Sequence, residues 1–141
     1  DGPLREEVVE EISRHNLQDR ITLPGWVTPA EVIEWFRKSD ILFMPSLSEG
    51  LPVVGVQALA MGLAMVVSNI GGFADLVNKN ENGFLINDND EYEKVLRKLL
   101  NNAEGLLSFR KASREKAEEF SLEKIVETYE EALKDTFSSV K

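Results

Sequence analysis

Residues 41–67, ILFMPSLSEGLPVVGVQALAMGLAMVV, decide the fold. The apolar run 41–44 predicts a strand, and it leads into a polar turn that carries one carboxylate, Glu49. A helix that is apolar nearly all round follows the turn, and the apolar run 63–67 predicts a second strand. Strand, short helix and strand make a βαβ unit whose crossover helix is buried.

The limits of the central helix are marked by a proline and a glycine. Pro52 suits the first turn, where a missing N–H costs nothing, and Gly62 suits the left-handed position just past the end. The free N–H groups at the start of this helix face the loop that holds Glu49 and could bind an anion such as a phosphate. Gln57 interrupts the apolar surface, and its amide partner could be protein backbone or a ligand.

The rest of the chain alternates between helices and short strands. Helices are predicted over residues 4–16, 29–38 and 73–78, strands over 20–23 and 84–86, and everything from Asp90 onward is predicted to be helical. The charge-poor middle of the chain is typical of buried parallel strands. Together these segments predict an α/β fold, a partial Rossmann-like three-layer parallel sheet with C-terminal helices.

Composition limits the classes of function. The chain has 141 residues, enough for one domain, and its lack of cysteines excludes disulfides and thiolate zinc sites. A net charge of −9 argues against a nucleic-acid partner. No apolar run is long enough to span a membrane, the start does not resemble a signal peptide, and we expect a cytoplasmic protein.

The ligand site of a parallel sheet lies at the carboxyl ends of its strands. Three loops should converge there, at residues 24–28, 45–52 and 68–73. They supply glycines, hydroxyls and Glu49, without a nucleophile–base pair or a metal-binding cluster. This combination suits a polar ligand with many hydroxyls plus a phosphate, although Glu49 could equally be a carboxylate that only stabilises the helix dipole.

Several stretches resemble the motifs of the family 4 retaining glycosyltransferases, which have the GT-B fold. The segment Ser48–Gly62 is similar to the signature of that family. Other landmarks match in order and spacing, namely Asp1–Leu4, Leu23–Val27, Asp40–Ser46, Ile70–Gly72 and Glu81–Ile86. The match covers most of the chain.

The resemblance implies a nucleotide-diphosphate sugar as donor substrate, with no metal cofactor. Glu49 takes the place of the catalytic carboxylate that holds the sugar hydroxyls. Gln57 stands where the family has the glutamate that binds the ribose, and an amide loses the charge-assisted part of that bond. The donor-binding residues implied are Gly25, Trp26 and Val27 at the base, with Pro45, Ser46, Glu49, Gly50, Leu51, Pro52, Val53, Gln57, Gly71 and Gly72 at the sugar, the phosphates and the ribose.

The resemblance also implies that parts of the enzyme precede residue 1. Residues 1–141 correspond to a single truncated C-terminal donor-binding domain, and the C-terminal helix at 121–141 should pack at the domain junction. The diphosphate-binding Arg and Lys and the N-terminal acceptor domain come from upstream. We therefore expect the isolated chain to be inactive. The strand at 21–23 should pair beside 41–44, or a second polypeptide should fill the gap between them.

The expected partners are the nucleotide sugar, an acceptor that could be a glycan, a lipid or a small molecule, and the missing N-terminal domain. Any peripheral membrane association would occur only through that absent domain. The reaction implied is transfer of a hexosyl group with retention. The alternative is a non-catalytic nucleotide-sugar-binding or interaction module, suggested by Gln57.

Overall fold

The computed structural model describes residues 2–138, without the side chain of residue 138. The chain divides into two compact units, residues 1–34 and residues 35–141. Helix α2 (Pro29–Arg37) crosses the boundary between them.

The N-terminal unit contains helix α1 (Arg5–Arg14), which buries Ile12. The predicted strand at 20–23 is wrong, because within residues 2–34 no segment forms a β-ladder. A run of three or four residues with an apolar pattern does not form a strand by itself, because a strand is stabilised by hydrogen bonds to an adjacent strand. Direct pairing of 21–23 beside 41–44 is therefore wrong as well, and a second polypeptide between them stays a prediction.

The start of α2 is a reciprocal capping box, in which Thr28 and Glu31 each accept a hydrogen bond from the other's backbone N–H. The Thr28 N–H and hydroxyl donate to Glu31 Oε2 over 2.7 and 2.8 Å, and the Glu31 N–H donates to Thr28 Oγ1 over 3.3 Å. These bonds favour the ionised carboxylate. The hydrogen bond from the Thr28 backbone, followed by the one from its hydroxyl, lowers the pKa of Glu31 below its ordinary value.

The C-terminal unit is built on a parallel sheet of three strands in the order β1 (Ile41–Met44), β2 (Ala64–Ser68) and β3 (Gly83–Ile86). Leu42 lies opposite Met65, and Val66 lies opposite Phe84. The helices of this unit are α3 (Val53–Ala60), α4 (Phe73–Leu76), α5 (Asn89–Leu100), α6 (Ala103–Ala117) and α7 (Leu122–Ser138), with a 3-10 turn at Glu118–Phe120 between the last two.

The sheet is the middle layer of three. Val66 and Phe84 pack against α5 on one face. On the other face Gly55 of α3 lies beside the Met65 and Leu76 side chains, so closely that a Cβ there would be 2.5 Å from Leu76 Cδ1. Residues 63–67, in the charge-poor middle, are almost completely buried, as expected of a central parallel strand. The predicted α/β architecture is confirmed.

Helix α6 is tied to the turn between α3 and β2. Gly62 ends α3 with a φ of 72°, the left-handed conformation that its position predicts. Arg110 Nε donates to the Gly62 carbonyl over 2.9 Å, and the buried Ser113 hydroxyl donates to the Leu63 carbonyl over 2.6 Å. Across residues 2–138, no helix has the length and apolarity needed to cross a membrane.

Candidate functional site

The loop that carries Glu49 is held by backbone packing against a second loop. A Cβ on Gly72 would lie 1.5 Å from the carbonyl oxygen of Gly50 and 2.7 Å from Leu51 Cα. A Cβ on Gly71 would lie 3.2 Å from the Glu49 carbonyl oxygen. Gly72 has an ordinary φ of −62°, so this glycine is needed for close approach and not for a left-handed turn.

Helix α3 begins directly after this contact. Pro52 is its N-cap residue, one position earlier than the sequence predicts, with φ −75° and ψ 109°. The first backbone hydrogen bond at the start of α3 runs from the Gly55 N–H to the Pro52 carbonyl oxygen over 2.8 Å. The N–H groups of Val53 and Val54 precede it and have no backbone acceptor in the described part of the chain. Val53 is 70% exposed, so this end of the helix is open to a ligand.

Gln57 lies one helical turn further along α3 and is half-buried. The amide is not enclosed in the core, because this side of the helix reaches solvent. Within residues 2–138 its side chain makes no hydrogen bond to protein, and no buried side-chain nitrogen or oxygen there is left unpaired. The amide therefore costs no large desolvation energy and remains open to a ligand or water.

Gly25, Trp26 and Val27 lie in the N-terminal unit. Gly25 has a φ of 72° and Trp26 is 86% exposed. An apolar groove of about 470 Å³ in this unit is lined by Gly25 together with Leu4, Val8 and Leu23. The role of these three residues at a nucleotide base stays a prediction.

A polar cleft of about 490 Å³ lies at the carboxyl ends of β1, β2 and β3, where the topology predicts a ligand site. Two of the predicted site residues, Pro45 and Ser46, contribute to its wall. Ser68 and Asn69 come from the predicted loop at residues 68–73. The other polar residues of the wall lie outside the three predicted loops, namely Asn87, Asp88, Asn89 and Tyr92. Their only signal in the sequence is that most of them come directly after the apolar strands.

An apolar groove adjoins the cleft along the free edge of β1. It is lined by Phe43, Leu47, Leu96 and Leu100, and Leu47 is 98% exposed. Within residues 2–138 no three histidine or acidic side chains are grouped closely enough to hold a metal ion.

Residues 1–119 match the family model of the glycosyl transferases group 1. An uncharacterized glycosyltransferase of Haemophilus influenzae is 39% identical over 102 residues, which are 70% of this chain and 29% of that protein. Another, from Methanocaldococcus jannaschii, is 33% identical over 129 residues, which are 89% of this chain and 36% of that protein. The chain thus spans about a third of the length of these relatives.

A solved structure shares the fold. The Anabaena protein HepE, crystallised in complex with UDP-glucose, superposes with a TM-score of 0.78 at 21% identity, over 92% of this chain and 36% of that protein. The chain belongs to the glycosyl transferases group 1 family. Its fold is that of the C-terminal domain of a GT-B glycosyltransferase, as the motifs at 48–62 predict.

Proposed function

We propose that this chain is the donor-binding part of a retaining glycosyltransferase that transfers a hexosyl group from a nucleotide-diphosphate sugar. The observation that carries the proposal is the contact of Gly71 and Gly72 with residues 49–51, which fixes Glu49 beside the open start of α3. A carboxylate accepts hydrogen bonds from sugar hydroxyls, and free N–H groups at a helix start favour a phosphate. A nucleotide sugar carries both groups in one molecule.

Each group has a separate role. Glu49 accepts hydrogen bonds from the hydroxyls of the transferred sugar, and the N–H groups of Val53 and Val54 bind the diphosphate. Gln57 lies four residues after Val53 on the same face of α3, so its amide is in position for the ribose hydroxyls. Gly25, Trp26 and Val27 are assigned to the base.

In the reaction the anomeric carbon–oxygen bond to the diphosphate breaks and a bond to an acceptor hydroxyl oxygen forms. The acceptor proton leaves with the departing phosphate. Glu49 acts by orienting the sugar, and the helix start acts by stabilising the charge that develops on the leaving group.

The activity requires more than these residues. Within residues 51–54 no side chain is cationic, so the Arg and Lys that neutralise a diphosphate must come from another segment. We therefore propose that an additional N-terminal domain supplies them together with the acceptor site, that the isolated chain is inactive, and that the enzyme works in the cytoplasm.

Ligand titration followed by amide NMR tests the donor site. Addition of UDP should shift the resonances of Leu51, Val53 and Val54. UDP-glucose should bind more tightly than UDP, and Glu49→Gln should remove that difference while the response to UDP persists. Glu91→Gln, an exposed carboxylate at the start of α5, is the matched control. Unchanged spectra with millimolar UDP and UDP-glucose would contradict the proposal.

The alternative is a domain that binds a nucleotide sugar without catalysis. It is favoured by Gln57, whose neutral amide makes weaker bonds to a ribose than a carboxylate does. Charge-assisted hydrogen bonds are about twice as strong as neutral ones, so Gln57→Glu should raise UDP affinity by roughly fivefold. In the full-length protein, a gain of transferase activity from near zero would favour the non-catalytic alternative, and little change would favour an active enzyme that tolerates glutamine.

A further inference from the structure

The loop of residues 68–73 carries the two glycines that contact the Glu49 loop, and it is fixed from the end of β3 and from α5. We propose that Asn87 and Tyr92 are positioning residues of the donor site, which act through this loop to hold Glu49 at the transferred sugar. The proposal rests on the proposed function, because that function assigns Glu49 to the sugar hydroxyls.

A pair of asparagine side chains joins the start of this loop to the end of β3. Asn69 Nδ2 donates to Asn87 Oδ1 over 2.9 Å, and the Asn69 backbone N–H donates to the Ile86 carbonyl over 2.7 Å. Asn87 is itself held, because it lies between β3 and Asp88, the N-cap of α5, whose side chain accepts from the Asp90 N–H over 3.1 Å. The first loop residue after β2 is thus tied to the junction of two rigid elements.

A second bond joins the loop to α5. The hydroxyl oxygens of Ser68 and Tyr92 are 2.8 Å apart, and the Phe43 ring of β1 meets the Tyr92 ring edge to face at 5.2 Å between centroids. Tyr92 is half-buried, and these two contacts restrict the rotation of its side chain. Two successive residues, Ser68 and Asn69, are therefore held by side chains from outside the loop, which fixes the direction in which the chain leaves β2.

The other end of the loop is fixed in the core. Phe73 is completely buried, and its N–H donates to the Ile70 carbonyl over 3.0 Å, which closes a tight turn. Gly71 and Gly72 are the two central residues of that turn. Because the turn is short and held at both ends, a displacement at the start of the loop moves these two glycines.

The glycines pass such a displacement on to the loop of Glu49. A Cβ on Gly71 would lie 3.2 Å from the Glu49 carbonyl oxygen, and a Cβ on Gly72 would lie 1.5 Å from the Gly50 carbonyl oxygen. Backbone meets backbone here, so a change of rotamer cannot absorb the shift. Direct contacts therefore lead from Asn87 through the loop to Glu49.

The helix start that is assigned to the diphosphate has support of its own. Gly55 of α3 packs on the sheet, where a Cβ would lie 3.6 Å from Met65 Cε. The turn after α3 is tied to α6, because Arg110 Nε donates to the Gly62 carbonyl over 2.9 Å. Loss of a positioning residue should therefore weaken the binding of the sugar and leave the binding of the diphosphate almost unchanged.

The experiment is a titration of this chain with UDP and with UDP-glucose, followed by amide NMR, and the measured quantity is the ratio of the two dissociation constants. Asn87→Ala removes the acceptor for Asn69 Nδ2 and should lower the preference for UDP-glucose by about threefold or more, with the Kd for UDP changed by less than about twofold. Tyr92→Phe removes only the hydroxyl and should change the preference in the same direction. Asn101→Ala, at the far end of α5, is the matched control and should keep the preference.

Further readouts separate positioning from a merely structural role. Asn87→Asp keeps an acceptor oxygen for Asn69 Nδ2 and should retain the preference, since its added charge acts on both ligands and cancels in the ratio. Asn69→Ala combined with Asn87→Ala should lower the preference no further than either change alone, because both remove the same bond. Without ligand, Asn87→Ala should shift the backbone amide resonances of Gly50 and Gly72, and Asn101→Ala should not.

The outcomes separate this proposal from the previous one. If the unchanged chain prefers UDP-glucose and Asn87→Ala keeps that preference, the positioning role is overturned and the donor site stands. If Asn87→Ala weakens the binding of both ligands by the same factor, the residue is only structural and the positioning role is again overturned. If neither ligand binds the unchanged chain, the proposed function fails, and the positioning role fails with it.

Discussion

Gly72 and Gly50 approach so closely that a Cβ on Gly72 would lie 1.5 Å from the Gly50 carbonyl oxygen. No rotamer relieves this clash, because the backbone fixes the position of the Cβ and its partner is a backbone oxygen. The contact holds the turn after β1 against the turn after β2, and it therefore sets the position of Glu49 relative to the start of α3.

Gly72→Ala should separate the two turns. We expect a loss of about 2 kcal/mol or more in the free energy of unfolding, within the range for overpacked sites. Chemical denaturation measures this loss. Gly50→Ala is the control from the same contact, since a Cβ on Gly50 would meet nothing within 4 Å. Equal stability of the two variants would show that the contact is not tight.

Ser113 holds α6 to the turn before β2. Its side chain is completely buried, and its hydroxyl donates to the Leu63 carbonyl over 2.6 Å. Ser113→Ala leaves that carbonyl without this donor in the core, which should cost about 1–3 kcal/mol of unfolding free energy. Ser108→Ala, exposed on the same helix, should change stability by less than about 0.5 kcal/mol. A Ser113→Ala variant as stable as Ser108→Ala would refute this role.

The sequence predicts those parts of the fold whose causes are local. The capping box at Thr28 and Glu31 and the left-handed Gly62 each follow from a few neighbouring residues, and the βαβ unit at 41–67 contains both of its paired strands in one continuous stretch. Their limits in the structure agree with the predictions to within one or two residues. The strand predicted at 20–23 does not form, because a strand depends on a partner distant in sequence.

The candidate site could be predicted only in part for the same reason. Glu49 and Gln57 lie on one loop and the helix that follows it, so their proximity follows from the chain itself. Asn69 and Asn87 are brought together by the register of β2 and β3, 18 positions apart. Both are exposed polar residues after a strand, a pattern shared by ordinary loops, and only the paired structure shows that their amides face the same cleft.

The capping box makes the start of α2 sensitive to acid. The pKa of Glu31 is lowered in the folded chain, so the stabilisation by its carboxylate is present above the unfolded pKa and is lost as pH falls through the folded pKa. An NMR titration of the Glu31 carboxyl should find a midpoint below 4.5, its ordinary value. Thr28→Val removes the hydroxyl donor and should raise that midpoint part of the way back. Thr22→Val, outside the cap, should leave it unchanged, and a Glu31 midpoint insensitive to Thr28→Val would exclude the hydroxyl contribution.

Helix α7 presents an apolar face to solvent. Val126, Tyr129, Leu133 and Phe137 recur at intervals of three and four residues and are 47–77% exposed. We propose that this face packs at the junction with the additional N-terminal domain of the full-length protein, which is not the N-terminal unit described above. In the isolated chain it should instead drive self-association. Replacing both Val126 and Leu133 by Gln should weaken that association by roughly tenfold or more, because two apolar side chains would no longer be buried when the chains associate.

Sedimentation velocity over a range of concentrations measures this association. Glu131→Gln changes a charged position on the opposite side of α7 and serves as the control, with an association constant close to that of the unchanged chain. The same double substitution in the full-length protein should leave donor binding intact but lower its thermal stability, since the junction would lose apolar contacts. If the unchanged chain is monomeric at all concentrations and the full-length variant is as stable as its parent, α7 does not serve as a junction element.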